Sequence, residues 1–420
     1  MPTSKRLLML LLLCSVQTNS ACSSCDGNND TPDMTDTQDM PSDSGTTDGD
    51  MDDDPDMDDD PDMVIDPDMT EDMTPDMTED MTPDMTTPGG DVVTCAMPVA
   101  SSAGSLCQVT PGSGANVVVR GTVLAADGKI YEGGAVVYEG GVENGKILYV
   151  GCDYEDDASA QDATLVECAD GVISPGLMNA HDHLGFNANG EPKAHGNERF
   201  DHRHDWRKGL RGHQSVKSNG SNNKAEAVQY SELRHLLAGT TSIAGSAGAS
   251  GFVRNLDQIS NNEGLENLRV EYQTFPLGDS DGDLFDSGCT YPRVDSESVL
   301  TENTIYLPHV SEGIDLEANN EFKCLNGGSG NDLIAQNTSI IHGIGLTAAD
   351  IADMGASGSK LVWSPRTNVD LYGQTADIMT YRRLGVTIAL GTDWIISGSM
   401  NMQRELACAN YLNTNHYNQA

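Results

Sequence analysis

The chain has 420 residues, a length that accommodates one large domain or about two to three smaller ones. Asp and Glu outnumber Lys and Arg by 65 to 23, which gives a formal net charge of −42. Because phosphate binding needs basic patches, this balance excludes nucleic acid as an expected partner. The 44 glycines and the low aromatic content are typical of a loop-rich α/β protein.

Residues 1–21 have the composition of a signal peptide for export. Lys5 and Arg6 form a basic start, and the apolar run over 7–16 is too short to span a bilayer. Cleavage after Ala21 leaves Cys22 at the new N-terminus, although the usual Leu three places upstream is missing. We therefore expect export to the cell envelope or beyond. Membrane attachment through a lipid on Cys22, simple secretion and an uncut membrane anchor stay open.

Residues 22–91 have the composition of a disordered linker. The stretch 26–90 holds 24 acidic residues, and the unit Pro-Asp-Met recurs through it. Dense negative charge and repeated proline oppose a packed core, and like charges keep such a segment extended. We expect a solvated acidic tether, which is either a plain spacer or a stalk that holds the rest of the chain away from a membrane.

The cysteines agree with export, because disulfides are the default in an oxidising compartment. Pairs that lie near each other in the sequence are Cys95 and Cys107, Cys152 and Cys168, and Cys289 and Cys324. Cys408 has no evident mate. Spacing alone does not determine which of these cysteines are joined.

Short β-type runs separated by glycine-rich turns occupy residues 92–172. They cover residues 115–124, 134–138, 146–150 and 163–167. This spacing predicts the N-terminal part of a small β-sandwich domain, and the change of pattern near Gly171 predicts a domain boundary there.

From residue 173 to residue 420, apolar strands alternate with helical stretches, which predicts βα units and a parallel sheet. The predicted strands are 172–183, 240–245, 268–275, 304–310, 339–343, 360–363 and 386–390, and the predicted helices are 224–238, 348–354, 375–384 and 402–412. The set predicts an α/β fold, a (β/α)8 barrel of the TIM type, in which reactive side chains stand at the C-terminal ends of strands.

Metal-type and acid–base side chains stand at the ends of these predicted strands. His181 and His183 are two residues apart in a strand, so their imidazoles point to one side. The later strand ends carry His309 with Glu312, then His342, and then Asp393. Each residue alone has an ordinary structural explanation. Their order on successive βα units favours one shared site.

The motifs at these positions resemble the amidohydrolase superfamily, and within it the deaminases and chlorohydrolases that act on cyclic amidines and purine-like rings. The resemblance spans about residues 115–412. The matching segments are PGLMNAHDH at 175–183, HVSE at 309–312, IHG at 341–343, WSPRTN at 363–368 and LGTD at 390–393.

The resemblance implies one divalent metal ion, zinc or iron. Many members bridge two metals with a carboxylated lysine on the fourth strand, and no lysine occurs between Lys224 and Lys323. The implied metal ligands are His181, His183, His309 and Asp393. By the same resemblance Glu312 transfers protons, His342 orients the attacking water or polarises the substrate, and Asp393 accepts a proton from the water.

The implied activity is hydrolysis of carbon–nitrogen bonds other than peptide bonds, with a metal-activated water attacking an amidine or cyclic amide carbon of a small molecule. Two alternatives stay open: an imidazolonepropionase- or dipeptidase-like amide hydrolase, and a non-catalytic binding protein displayed at the surface. Members of the family continue past the last aspartate, so we expect the barrel over 173–420 to be truncated at its C-terminus.

Three polar segments have open roles. In the expected loop 363–368, Arg366 or Asn368 either touches substrate or only packs. The acidic run 279–283 lacks the closing glutamate of a calcium loop and is expected to be a polar turn. The segment 195–213 is either a basic lid over an anionic substrate or a plain surface loop. Its basic side chains are His195, Arg199, His202, Arg203, His204, Arg207, Arg211 and His213.

Overall fold

A computed structural model describes residues 91–100, 107–142, 145–186, 195–216, 218, 220–262 and 269–417. The predicted signal peptide, Cys22 and the acidic linker up to residue 90 lie outside these residues. None of the helices in the described residues combines the length and the apolar composition that a membrane span requires.

The first six strands form one mixed sheet. They are β1 (Val92–Thr94), β2 (Gln108–Thr110), β3 (Asn116–Leu124), β4 (Ile130–Glu139), β5 (Ile147–Gly151) and β6 (Thr164–Ile173). Strand β3 is central, antiparallel to β4 and parallel to β6. Val118, Ala135 and Val137 pack against Tyr154 on one face, as β-branched and small residues do on a pleated surface. The described residues form a single sheet here, so the sandwich domain stays a prediction.

Three disulfides join segments that are 35 to 61 residues apart in the sequence. The bonds are Cys95–Cys152, Cys107–Cys168 and Cys289–Cys324. Only the last of these pairs consists of the sequence neighbours named above. Strands β1 and β5 both pair with β4, which brings Cys95 and Cys152 together, and the register of β2 against β6 places Cys107 opposite Cys168. Cys408 is disulfide-bonded as well.

Eight further strands follow, and all their ladders are parallel. They are β7 (Leu177–Asn179), β8 (Thr240–Ile243), β9 (Arg254–Asn255), β10 (Arg269–Gln273), β11 (Thr304–Val310), β12 (Ser339–His342), β13 (Lys360–Trp363) and β14 (Thr387–Leu390). The ladders of the described residues form a three-stranded sheet, β7 to β9, and a five-stranded sheet, β10 to β14, rather than one closed barrel. The parallel α/β architecture is as predicted.

Seven helices accompany these strands in the described part of the chain. They are α1 (Arg203–Lys208), α2 (Ala225–Leu236), α3 (Leu316–Leu325), α4 (Ala348–Ser357), α5 (Pro365–Tyr372), α6 (Ile378–Arg383) and α7 (Met402–Asn415). Four of them were predicted, whereas α1, α3 and α5 were not. The expectation of a loop over 363–368 was wrong. Helix α5 begins at Pro365, a residue that is favoured in the first turn of a helix, and it is followed by Gly373 in the left-handed conformation, which ends it.

The predicted strand over 172–183 is divided into two. Val172 and Ile173 end β6, and β7 begins at Leu177. The residues between include Pro175, which lacks the N–H that a continuous ladder needs. The two predicted histidines consequently follow a strand of three residues instead of ending a long one.

The largest hydrophobic core packs against one face of the five-stranded sheet and includes Tyr306, Ile340 and Leu361. The next residue of each strand points to the opposite face, where Leu307, Ile341 and Val362 form a second cluster. Both faces of these parallel strands are therefore buried and apolar. Polar side chains are accommodated at the strand ends, which is where the candidate site lies.

Candidate metal centre and catalytic cavity

Five predicted side chains converge where four parallel strands end. They are His181 and His183 after β7, His309 in β11, His342 in β12 and Asp393 after β14, and we call them the strand-end cluster. The Nε2 atoms of His181 and His183 lie 3.1 and 3.4 Å from Asp393 Oδ1. The ring centroids of His181 and His309 are 4.7 Å apart, so the predicted ligands do meet.

Burial controls the charge of these side chains. It lowers the pKa of the His181 imidazole to about 4 and that of His309 well below its usual value, because the charged form is poorly solvated. Burial alone would raise the pKa of Asp393, but hydrogen bonds from His181 and His183 hold it well below the usual range. Burial alone would lower the pKa of His183, but its hydrogen bond with Asp393 raises it above the usual value. The cluster therefore presents neutral imidazoles at His181 and His309 beside an ionised carboxylate.

This donor set fits one divalent cation. Donor atoms lie within 4.8 Å of one another in the groups His181–His183–His309 and His181–His342–Asp393. The Nε2 atom of His342 is buried without a hydrogen-bond partner among the described residues, as expected of an atom that serves a ligand. Imidazoles with one carboxylate are donors that zinc prefers, so zinc is the ion that the residues fit best.

A buried polar network joins the two loops that carry these ligands. Thr392 Oγ1 donates to Asp182 Oδ2 at 2.6 Å, and Arg234 Nη2 donates to the same oxygen at 3.2 Å. His235 Nε2 lies 3.0 Å from it. Asp182 stands between the two histidines, and Thr392 precedes Asp393, so the network aligns both sets of ligands. Sequence reasoning missed Asp182, although an acid inside His-x-His was a usable signal.

Glu312 and His342 face each other in the same site. Tyr372 donates its hydroxyl to Glu312 Oε1 at 2.8 Å, and Glu312 Oε2 lies 3.6 Å from His342 Nε2. His342 Nδ1 lies 3.2 Å from Asn368 Oδ1. A carbonyl oxygen only accepts, so this contact assigns the proton of neutral His342 to Nδ1 and leaves Nε2 as an acceptor.

The two candidates for substrate contact in α5 have other roles. The side-chain oxygen of Asn368 accepts a hydrogen bond from His342 Nδ1. Arg366 does not line the cavity described below; its Nε donates to Ser399 Oγ at 3.0 Å, and its backbone N–H donates to Glu405. The expectation that Arg366 touches substrate is therefore not supported by its position.

Tyr272 is a member of the site that sequence reasoning did not find. Its ring stacks on His181 with centroids 5.7 Å apart, and its hydroxyl lies 3.3 Å from the ring nitrogens of His183. Burial raises the pKa of this phenol well above its usual value, which keeps it protonated. Strand β10 carries Tyr272 and contains no histidine. A tyrosine in a strand does not by itself indicate a functional site.

A cavity of about 420 Å³ lies in front of the strand-end cluster. Its walls include four aromatic side chains, Phe186, Trp206, Phe275 and Trp394, and the rings of Trp206 and Trp394 are 4.9 Å apart. Such faces suit a planar ring. The polar side of the cavity includes five of the predicted site residues, His183, His309, Glu312, His342 and Asp393.

Several strand-end residues that are not glycine adopt the left-handed backbone conformation. They include Ser246, Ser311, His342 and Asp393, with φ between 52° and 74°. Each such residue costs roughly 1–3 kcal/mol and persists only where the surrounding structure imposes it. Ser246 also lines the cavity, and it was not predicted as a site residue.

The basic segment is not a plain surface loop. Arg203 is buried and pairs with Asp279 at 2.5 Å and with Glu321 at 3.1 Å. His204 Nε2 lies 2.9 Å from Asp279, and His202 Nε2 lies 3.3 Å from Glu321. We call these five residues the ion-pair cluster. Residues 279–282 form a turn, as expected, in which Gly282 N donates to Asp279 O at 2.9 Å. The side chain of Asp279 is in addition fully buried by these partners.

Two of the other predicted lid residues lie at different places. Arg207 lines the cavity, as Arg203 does, whereas Arg199 is exposed and absent from its walls. Of the basic side chains in the predicted lid, only Arg203 and Arg207 line the cavity. Their charges can therefore act on a bound molecule directly.

The chain matches no protein-family model. A segment of 67 residues is 36% identical to the 5-methylthioadenosine/S-adenosylhomocysteine deaminase of Halobacterium salinarum and covers 16% of each protein. A segment of 81 residues is 33% identical to the aminodeoxyfutalosine deaminase of Deinococcus radiodurans and covers 19% of each. The matches span less than a fifth of the length of these curated relatives.

Among solved structures, the zinc complex of atrazine chlorohydrolase from Arthrobacter aurescens is 16% identical, with a TM-score of 0.39 over 67% of this chain and 72% of that chain. A TM-score of this size does not establish a shared fold. The curated relatives are deaminases, which are hydrolases of carbon–nitrogen bonds. Over these segments the chain is similar to deaminases, in agreement with the resemblance that its motifs indicate.

Proposed function

We propose that this chain is a metal-dependent hydrolase that attacks the amidine or cyclic amide carbon of a small ring-containing molecule, with release of ammonia as the leading reaction. One observation carries the proposal: side chains from four strand ends, scattered over more than two hundred residues, meet in one cavity beside Glu312. The deaminase relatives support the same reaction class.

The metal ligands in this proposal are His181, His183, His309 and Asp393. A divalent ion in such a donor set supplies a water nucleophile at neutral pH by lowering the pKa of water to about 7. Tyr272 packs on two of the imidazoles and limits their rotation. The network through Asp182 orients the loops that carry the ligands.

In this proposal, protons are transferred by side chains that line the cavity. Asp393 is ionised and can accept a proton from the attacking water. Glu312 in its protonated form can then deliver a proton to the departing nitrogen, as a general acid does, and the proton held by Asp393 replaces it when ammonia leaves. Tyr372 holds one oxygen of Glu312, so the other is left for this exchange. His342, with its proton on Nδ1, offers Nε2 as an acceptor for an N–H or O–H of the bound molecule.

We extend the proposal to the architecture and location of the chain. Val270 N donates to Leu256 O and so links one pair of sheet edges. At the other pair, Ala180 N donates to Leu390 O and Asp393 N donates to His181 O, with an isolated parallel bridge between Asp182 and Asp393. These links support a (β/α)8 barrel as the complete arrangement, with β1 to β6 as the start of a small β domain. The disulfides support export to an oxidising compartment. Lipid attachment at Cys22 remains part of this proposal.

The test combines metal analysis with a substrate panel. We expect about one zinc ion per chain in purified protein, and ammonia release from at least one member of a panel of amidines, purines, cyclic amides and dipeptides. His181→Ala should lose both the metal and the activity. Glu312→Gln should keep the metal but lose about 10²- to 10⁴-fold in rate, because only proton transfer is removed.

Each contrary result of that test points to one of the alternatives. Ring opening or dipeptide cleavage without ammonia indicates an amide hydrolase of the imidazolonepropionase or dipeptidase kind. A wild-type protein without metal and without activity on the whole panel indicates a binding protein.

A further inference from the structure

Two arginines reach the cavity, and their charges are balanced differently. Arg203 is buried and paired with Asp279 and Glu321. Arg207, one helical turn further along α1, makes no ion pair with any residue that the structure describes. The cavity therefore holds one guanidinium group whose charge is not matched by a carboxylate in contact with it.

The guanidinium of Arg207 is held in a defined position. Its central carbon lies 4.2 Å from the centroid of the Phe275 ring. Nη1 donates to His204 Nδ1 at 2.7 Å, and Nη2 donates to Ser280 O at 3.3 Å. The group is therefore oriented before a ligand arrives, and stacking on an aromatic face leaves its edge available for a planar acceptor.

His204 connects this arginine to the ion-pair cluster without supplying a negative charge. Its Nδ1 accepts from Arg207, so its proton is on Nε2, which donates to Asp279 at 2.9 Å. Burial lowers the pKa of His204 to about 4, in agreement with a neutral ring at pH 7. Asp279 contacts Arg203 directly, whereas it acts on Arg207 only at a distance and forms no ion pair with it.

The carboxylates on the cavity wall are also engaged elsewhere. Asp393 lies among the imidazoles of the strand-end cluster, and Glu312 accepts from Tyr372. A ligand that fills the cavity and carries a negative group would thus meet an unmatched cation. A single guanidinium, with two donors side by side, matches a carboxylate in charge and shape better than a phosphate dianion.

We propose that Arg207 binds a carboxylate substituent of the ring-containing substrate and selects anionic over neutral substrates. The inference deepens the proposed function and rests on it for the nature of the reaction. It assigns Arg207 the role of a specificity-determining residue. The aromatic walls hold the ring, the strand-end cluster faces the reacting carbon, and Arg207 binds the charged substituent.

The test uses nicotinate and nicotinamide, two probes with the same ring that differ in charge. Calorimetric titration of the zinc-loaded protein should show nicotinate binding at least about tenfold more tightly than nicotinamide, as one charge-assisted hydrogen-bond pair allows. Arg207→Gln should abolish this preference, and Arg207→Lys should restore part of it. The matched control is Arg199→Gln, the same substitution at an exposed position of the same segment, and it should keep the full preference.

Two outcomes overturn the proposal. A wild-type protein that shows no preference for nicotinate has no carboxylate site at Arg207. A preference that survives Arg207→Gln in a folded variant, checked by thermal melting, shows that the carboxylate binds elsewhere, for example at the strand-end cluster. The assay measures binding, so a failure to find any ammonia-releasing substrate leaves its result intact and counts only against the proposed reaction.

Discussion

Two buried clusters of histidines and acids lie close to the same cavity, and they differ in how their charges are balanced. The strand-end cluster gathers four imidazoles around one carboxylate, and no described arginine or lysine pairs with that carboxylate. In the ion-pair cluster, Asp279 and Glu321 share Arg203 and are each contacted by an imidazole. Similar side chains thus form a cation site in one place and a closed network in the other. The difference is that the ion-pair cluster contains its own cation, Arg203.

The buried acids show the same rule through their pKa values. Burial alone would raise the pKa of Asp279 and of Glu321, but Arg203 holds both below the usual range. Glu405 is equally buried and makes no ion pair among the described residues, and burial raises its pKa to about 7. Among these three acids, burial therefore raises the pKa only where no cation contacts the carboxylate.

The largest effect should come from removing the internal cation. Arg203→Met leaves two buried carboxylates without their arginine, so we expect the free energy of unfolding to fall by about 3–5 kcal/mol. Urea denaturation at pH 7 measures this change. Arg269→Met is the matched control, because Arg269 and Glu271 are 53% and 37% exposed, and it should cost at most about 1 kcal/mol. Equal losses in both variants would contradict the comparison.

Glu405, the buried acid without a cation, should give the next largest effect on stability, and only at neutral and higher pH. Because the folded pKa of Glu405 is raised from 4.5 to about 7, its contribution to stability falls as pH rises between these values. Above that window the ionised form costs about 3 kcal/mol. Glu405→Gln should therefore be more stable than wild type at pH 8 by up to that amount and nearly equal at pH 4.5. An equal difference at both pH values would rule this explanation out.

The network behind the strand-end cluster should affect metal affinity more than folding. Asp182→Asn weakens the link between the loops after β7 and β14, so we expect zinc affinity to fall by about 10- to 100-fold. Competition with a chelator measures it. Asp350→Asn, a substitution of the same kind at a buried position in α4, should leave zinc affinity unchanged. If both variants lose the same affinity, Asp182 has no special positioning role.

The smallest effect should come from the strand-end cluster itself, in protein without metal. His309→Leu relieves the crowding of imidazoles but removes the hydrogen bond from His309 Nδ1 to Gln273 O, so stability should fall by only about 1 kcal/mol. The rise in Tm that zinc produces in the wild type should vanish. His204→Leu, in the ion-pair cluster, should instead cost about 1–3 kcal/mol, because Asp279 and Arg207 lose a partner. Equal costs would mean that the clusters do not differ.

The agreement between sequence and structure is best where the chain is locally periodic. Strands β8 and β10 to β14 lie within two residues of their predicted ranges. In β11, β12 and β13 the apolar runs are buried on both faces, which makes the pattern easy to detect. Helix α3 was missed for the opposite reason. Its buried residues include Asn319, Asn320 and Glu321, and these polar side chains obscure the apolar period of Ala318, Phe322 and Leu325.

Site residues were predictable where residue type and position both pointed to chemistry. A histidine or an acid directly after an apolar strand meets both conditions. Asp182 meets them too and was overlooked, whereas Tyr272 and Ser246 do not, because a tyrosine or a serine has many ordinary roles in a strand or loop. Their places in the site became visible only through their contacts.

The sequence by itself determined the parallel α/β architecture and the residues that converge at the strand ends, since strand period and residue type are local properties of the chain. Only the tertiary structure decided which cysteines are joined, why Asp279 is buried and which arginine keeps an unmatched charge. Those outcomes depend on which distant residues meet. Whether a buried charge is stable or free to bind a ligand follows from its neighbours in space and not from its neighbours in sequence.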